Sequence, residues 1–411
     1  MRMHVRRAAA IAALVAAGAA AGRDAVSLDG IWDFALDPED AGERAEWFSS
    51  AAPFVHTIAV PGAWDAQGFG AETDKLRHNF VGAAWYRRNV EIPAAWTGRR
   101  IVLCVDAVHR SARAWVNGKP LGEHTGYLSP WELDLTPHVE AGAAACIAIR
   151  VDSRQNWEVD CLTGCLDIID AMFTSWGGIW GHVRLEGRNE AWLEAFVVRP
   201  RFSDGAITAR AALRGDASHA DGVHLQIVEH ATGARAAEKM LPLTEALTSD
   251  GEVEIRCAVA APQPWLPETP RLYTARLALR HGASVLDERS TRFGFRDIEI
   301  RGPHFYLNGS KIFLRGYGDD CVYPETMAPP SDTDVYRRRR AFARRLGFTF
   351  VRHHSHFLPP EYYDAADETG MLVSPELPIA YLEYYTRAKG PALELYAREW
   401  AAAITRLRNH P

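Results

Sequence analysis

The feature that most constrains this chain is a change of rhythm near Phe305. Before it, apolar residues recur at period two, in runs such as Gly30-Ile31-Trp32-Asp33-Phe34-Ala35, Ala84-Trp85-Tyr86-Arg87-Arg88, Ile101-Val102-Leu103-Cys104-Val105 and His182-Val183-Arg184-Leu185. Successive side chains of a strand point to opposite faces, so these runs predict half-buried strands. Asn117-Gly118 stands between Ala114-Trp115-Val116 and the next run, and both residues tolerate positive φ, which predicts a tight hairpin. Residues 23–188 therefore read as a jelly-roll type of sandwich. Residues 189–297, with runs such as Val223–Val228 and Leu272–Leu279, have the length of an immunoglobulin-like β-sandwich but no Cys…Trp…Cys pattern. After Phe305 strands and helices alternate. A strand is expected at Lys311–Arg315, a helix from about Asp332 to Leu346, a strand at Thr349–Arg352, a helix over Pro360–Thr369, a strand at Met371–Ser374 and a helix over Leu393–Leu407. That alternation implies a parallel sheet with right-handed crossovers. About three βα units fit into 298–411, whereas a closed (β/α)8 TIM barrel takes about 250 residues, so the block is expected to be the first part of one.

Composition narrows the function classes. A formal charge of −6, with Lys and Arg scattered, gives no basic patch of the kind that binds nucleic acid. The exception, Arg337-Arg338-Arg339-Arg340, falls in an amphipathic helical pattern and reads as a solvated face. At the amino terminus Arg2, Arg6 and Arg7 precede a small, apolar stretch from Ala8 to Gly22, which is the order of a secretory signal; an Ala-rich surface helix is the alternative. The stretch is shorter than the roughly 20 residues of a membrane span. Residues 1–22 are thus expected to be a signal peptide, and the mature protein to be secreted or periplasmic with no membrane contact. Six cysteines do not make a disulfide scaffold in a chain this long. Cys161 and Cys165 could pair in an oxidising compartment; Cys104, Cys146, Cys257 and Cys321 read as buried thiols, and no pair of close-spaced Cys/His couples suggests zinc.

The order of blocks and several motifs resemble glycoside hydrolase family 2, the family of β-galactosidases, β-glucuronidases and β-mannosidases. In the first block these are Leu28-Asp29-Gly30-Ile31-Trp32-Asp33-Phe34, Val60-Pro61-Gly62-Ala63-Trp64, Trp85-Tyr86-Arg87-Arg88, Trp115-Val116-Asn117-Gly118 and Gly177-Gly178-Ile179-Trp180. Arg292-Phe293-Gly294-Phe295-Arg296 and Phe305-Tyr306-Leu307-Asn308-Gly309 resemble the family's entry into a catalytic barrel. Val351-Arg352-His353-His354-Ser355-His356-Phe357, Ala365–Val373 and Asn409-His410-Pro411 resemble the barrel's first part. The resemblance implies an exo-acting, retaining glycosidase. It also implies that Asn409-His410-Pro411 leads into strand four, so that the acid/base and nucleophilic glutamates lie beyond Pro411. No catalytic residue is then expected within the chain, and the chain alone is expected to be inactive.

Retaining hydrolysis takes two carboxyl groups about 5 to 5.5 Å apart, held on strand ends. What three strands can offer is the grip on a terminal sugar. Asp319 and Asp320 after the first strand are candidates, although many family members have a Gly-x-Asn-x-His type of sequence there; a solvated acidic loop is the alternative. After the second strand His353, His354 and His356 compete for a substrate-contacting role, with His356 preferred and Arg352 as a pocket or supporting residue. Glu376 in Pro375-Glu376-Leu377-Pro378 stands at the expected barrel mouth. A similar glutamate helps to hold magnesium in metal-dependent relatives, but Pro378 stands where they have a histidine, so no metal or other cofactor is expected. Tyr381, Tyr384 and Tyr385 could stack on sugars or equally pack their own loop. The expected partner is a carbohydrate, and homo-oligomerisation of the full-length protein remains compatible with the sequence. A non-catalytic carbohydrate-binding or adhesive protein using the two β-domains is the competing reading.

Overall fold

The computed structural model describes residues 23–49, 52, 54–72, 78–126, 128–156, 158–159, 176–320, 322–378 and 390–411. Residues 1–22, expected to be a signal peptide, and Cys161, Cys165, Cys321, Tyr381, Tyr384 and Tyr385 lie outside them.

The period-two runs form two sandwiches. In the first, a six-stranded antiparallel sheet has the order Lys119–Thr125, Ser111–Val116, Ala144–Asp152, Ala83–Glu91, Gly30–Asp37, His56–Val60. It faces a four-stranded sheet of Arg23–Ser27, Val183–Arg188, Arg100–Val105 and Trp131–Asp134. Inward alternate residues from both, among them Trp32, Phe34, Tyr86, Leu103 and Ile149, fill one core. Asn117 and Gly118 take φ of 50° and 77° and pair Val116 with Lys119, the hairpin their chemistry predicts. Cys104 and Cys146 are buried thiols and Cys257 is half-buried.

The second sandwich sets Ala191–Pro200, Ala206–Gly215 and Glu252–Ala258 against Arg235–Pro242, Gly222–Glu229, Tyr273–His281 and Ser284–Phe293. Its junction with the first is a buried charge: Asp287, 0% exposed, accepts Arg23 Nε at 3.2 Å and Leu193 N at 2.7 Å. Asp287 is pushed above the usual carboxylate range, chiefly by burial and against the pull of Arg23.

The third block differs from the expectation at its start. Lys311–Arg315 is not the first parallel strand. Asn308 and Gly309, at φ 50° and 79°, turn the chain back so that Ser310–Ile312 pairs antiparallel with His304–Leu307, itself paired with Ile298–Arg301. The first parallel strand is instead β1 (Gly316–Asp319). It is followed by α1 (Thr333–Arg345), β2 (Phe350–His353), α2 (Pro360–Thr369), β3 (Leu372–Ser374) and α3 (Pro391–Leu407). The order is β1-β2-β3, parallel throughout. Asp332 caps α1 by accepting Asp334 N at 2.9 Å. Gly370 ends α2 at φ 71°, where a Cβ would meet Pro267 O at 2.1 Å; here only glycine allows the helix to end against the second sandwich.

The helices borrow their core from the first sandwich: Leu128, Trp176 and Trp180 pack with Tyr336, Phe357, Tyr362, Tyr363 and Leu395. Glu399 on α3, 0% exposed, accepts Leu128 N at 2.7 Å and Ser129 N at 3.2 Å, and also the Ser129 hydroxyl. His182 donates to Asp29 and to Glu361 on α2, each at 2.6 Å, and these two partners raise its pKa to about 10. The end of the chain fastens to the second sandwich. Asn409 Oδ1 accepts Val198 N at 2.9 Å and its Nδ2 donates to Phe196 O at 2.9 Å, beside a break in the register of Ala191–Pro200.

Candidate carbohydrate site at the strand ends

In a parallel pair, residues in register share a face. Tyr317, Val351 and Val373 share one, and Val351 is buried among Ala343 and Ala366 of the helices and Met371 just before β3. Gly318, Arg352 and Ser374 share the other, where Arg352 is exposed. The crossover helices thus cover one face and leave the other to chemistry.

The two expected residues that meet directly are Arg352 and Glu376. Arg352 Nε donates to Glu376 Oε1, and Glu376 Oε2 accepts the amide of Ser355 at 2.9 Å. Ser355 is buried and takes φ 52°, a region costly for a residue with a Cβ, and Glu376 satisfies its amide there. One carboxylate therefore fixes both the guanidinium on β2 and the turn leaving that strand. Asp319 and His356 join this set through His354: His354 N donates to Asp319 O at 3.0 Å, and His356 Nδ1 donates to His354 O at 2.7 Å. That bond places the His356 proton on Nδ1. His356 is 5% exposed, Asp319 is half-buried on the register face of His353, and Asp320 is exposed just past the strand. Asp320 makes no hydrogen bond or ion pair among the described residues. Of the three competing histidines, His353 is fully buried under the sheet, while His354 and His356 stand at the strand end. Ser355 was not singled out by sequence reasoning, because a serine forced to positive φ has no compositional signal.

Chemically, Arg352 and Glu376 offer a donor fork and a carboxylate side by side on an open face, the pairing that recognises vicinal hydroxyls. A second group, Asp364, Asp367 and His410, brings its ligand atoms within 4.8 Å of one another. Asp364 there is held by Arg292, which also donates to Glu368 at 2.6 Å, and His410 Nδ1 bonds Asp367 at 2.7 Å. Those contacts lock α2 to the second sandwich and use the group as a protein ion-pair network.

Two family models match this chain: glycosyl hydrolases family 2, sugar binding domain, over residues 25–187, and glycosyl hydrolases family 2 over residues 192–296. Together they span well over half of it. The chain belongs to glycosyl hydrolase family 2. Within the family it is similar to a β-galactosidase of Thermoanaerobacter pseudethanolicus, at 24% identity over 95% of this chain and 51% of that protein. It is also similar to a putative β-glucuronidase of Formosa agariphila, at 26% identity over 80% of this chain and 31% of that protein. The chain thus spans about half or less of the length of these two relatives. Among solved structures, a β-glucuronidase of Ruminococcus gnavus in complex with D-glucaro-d-lactam superposes with a TM-score of 0.78, at 21% identity over 95% of this chain and 65% of that chain. At that identity the likeness shows the fold. Family 2 membership covers the two sandwiches, and the strand-end residues lie in the block that follows them.

Proposed function

We propose that this chain is the amino-terminal part of a secreted, exo-acting, retaining glycoside hydrolase of family 2, and that its three parallel strands open a (β/α)8 barrel. The observation that carries the reading is the Arg352–Glu376–Ser355 linkage at the carboxyl ends of parallel strands, where barrel enzymes hold their substrates. In this reading Arg352 and Glu376 bind hydroxyls of the terminal sugar, and His356 and Asp319 shape the wall behind it. Asp320 faces the solvent side of the same opening. The two carboxyl groups of hydrolysis belong to the part of the relatives' length that this chain does not span, so the chain binds sugar without cleaving it. The charged-then-apolar segment up to Gly22 supports export.

The test is hydrolysis of aryl β-galactosides and β-glucuronides by the pure 411-residue chain. No turnover above buffer is expected. Turnover that disappears in Asp319→Ala or Asp320→Ala would overturn this division of labour and move catalysis onto β1.

A further inference from the structure

The arginine run read as a solvated face divides in the structure. Arg337 and Arg338 are exposed, whereas Arg340 is 0% exposed. Helical spacing explains the split, since Tyr336, Arg340 and Ala343 fall on one face of α1 and are its buried residues. A guanidinium does not give up its proton, so the interior holds a full positive charge at this point. Its Nη1 donates to the Tyr317 hydroxyl and its Cζ lies 4.0 Å from the centre of the Tyr362 ring. No carboxylate among the described residues lies within ion-pair distance of it, and its Nε and Nη2 have no partner.

Two neighbours share that condition. His353 on β2, 0% exposed, meets the Tyr362 ring edge-on with centroids 4.5 Å apart, and neither ring nitrogen has a partner among the described residues. The buried Tyr362 hydroxyl has none either. Burial, reinforced by the Arg340 charge, pushes His353 well below its ordinary range; it stays neutral and presents one N–H. Around one aromatic ring, Arg340, Tyr362 and His353 therefore offer mostly donors, together with an uncompensated cation. Buried polar groups are almost always paired, and a buried charge without a counter-charge is costly. Water can complete hydrogen bonds, but a small monovalent anion completes them and neutralises the charge as well.

We propose that Arg340, His353 and Tyr362 hold a buried chloride ion at the junction of α1, α2 and β2. The ion ties the first two crossover helices together beneath the strand whose open face carries Arg352. It makes the third block sensitive to halide, independently of any sugar.

The experiment compares thermal unfolding of the whole chain in sodium chloride, sodium bromide and sodium gluconate at one ionic strength, alongside crystals grown in bromide. Chloride and bromide are expected to raise Tm by several degrees over gluconate, saturably, and bromide to give an anomalous peak beside Arg340. Arg340→Met should abolish the halide dependence. Should that variant not fold, Tyr362→Phe should weaken the dependence at least threefold in halide concentration. Equal Tm in the three salts, or ordered water without anomalous signal at the cluster, overturns the proposal.

Discussion

In the first sandwich Trp32, Phe34 and Tyr86 from one sheet meet Ile101, Leu103 and Val105 from the other, and none is more than 3% exposed. In the third block Val351 is equally buried on one face of β2, yet Arg352, the next residue, has a side chain 52% exposed. The two regions bury apolar strands by different means. A sandwich supplies both walls of its core from its own sheets. The three parallel strands obtain one wall from their own helices, and those helices lean on Trp176 and Trp180 of the first sandwich. The open face is then free for polar groups, which is why the candidate site lies there and not within either sandwich.

This contrast can be broken by substitution. Leu103→Ala leaves a cavity in the core of the first sandwich, and an expected cost of about 2–5 kcal/mol should appear in urea unfolding. In the third block Phe313, 82% exposed, is the control: Phe313→Ser should stay within about 0.5 kcal/mol. A large loss there would mean that Phe313 is packed in solution.

The junction between the regions gives the next effect. Glu399→Ala orphans two buried amides and a hydroxyl of the first sandwich, at about 1–3 kcal/mol per stranded group. We expect the single unfolding transition to separate into two in calorimetry, the third block melting first. One undivided transition at the wild-type temperature would show that the helices do not depend on this contact.

The smallest effect concerns pH. His182, with a folded pKa raised to about 10 by Asp29 and Glu361, starts from an unfolded value of about 6.5. Its contribution is complete below about pH 6.5, where both states carry the proton. It falls as pH rises between the two values, because only the folded state keeps the proton, and it is gone above about 10. His182 is a third exposed, so solvent screening keeps the effect modest. Stability measured from pH 6.5 to 10 should decline less steeply in His182→Gln than in the wild type; parallel profiles would remove His182 as the latch.

The sandwiches were legible because period two and Asn117-Gly118 are local signals that tertiary packing did not overrule. The first parallel strand was misplaced because Lys311–Arg315 has the same apolar content as a buried strand. Asn308-Gly309 carried the same hairpin signal as Asn117-Gly118 and could have corrected it. Arg352 and Glu376 were legible as strand-end residues, whereas the turn at Ser355 that joins them depends on a backbone angle that residue type does not announce. Arg340 was misread because four successive arginines suggest solvent, while the spacing Tyr336, Arg340, Ala343 already placed one of them inward.

The central claim is that the open face of the parallel strands, through Arg352 and Glu376, is where this chain meets a terminal sugar. The direct measurement is calorimetric titration of galactose and of glucuronate into the whole chain, the Arg352→Ala variant and the Glu376→Gln variant. The account predicts saturable binding of one of these sugars by the wild type and at least tenfold weaker binding by both variants at unchanged Tm. Binding of equal strength in all three proteins would place the sugar on the sandwiches and contradict it.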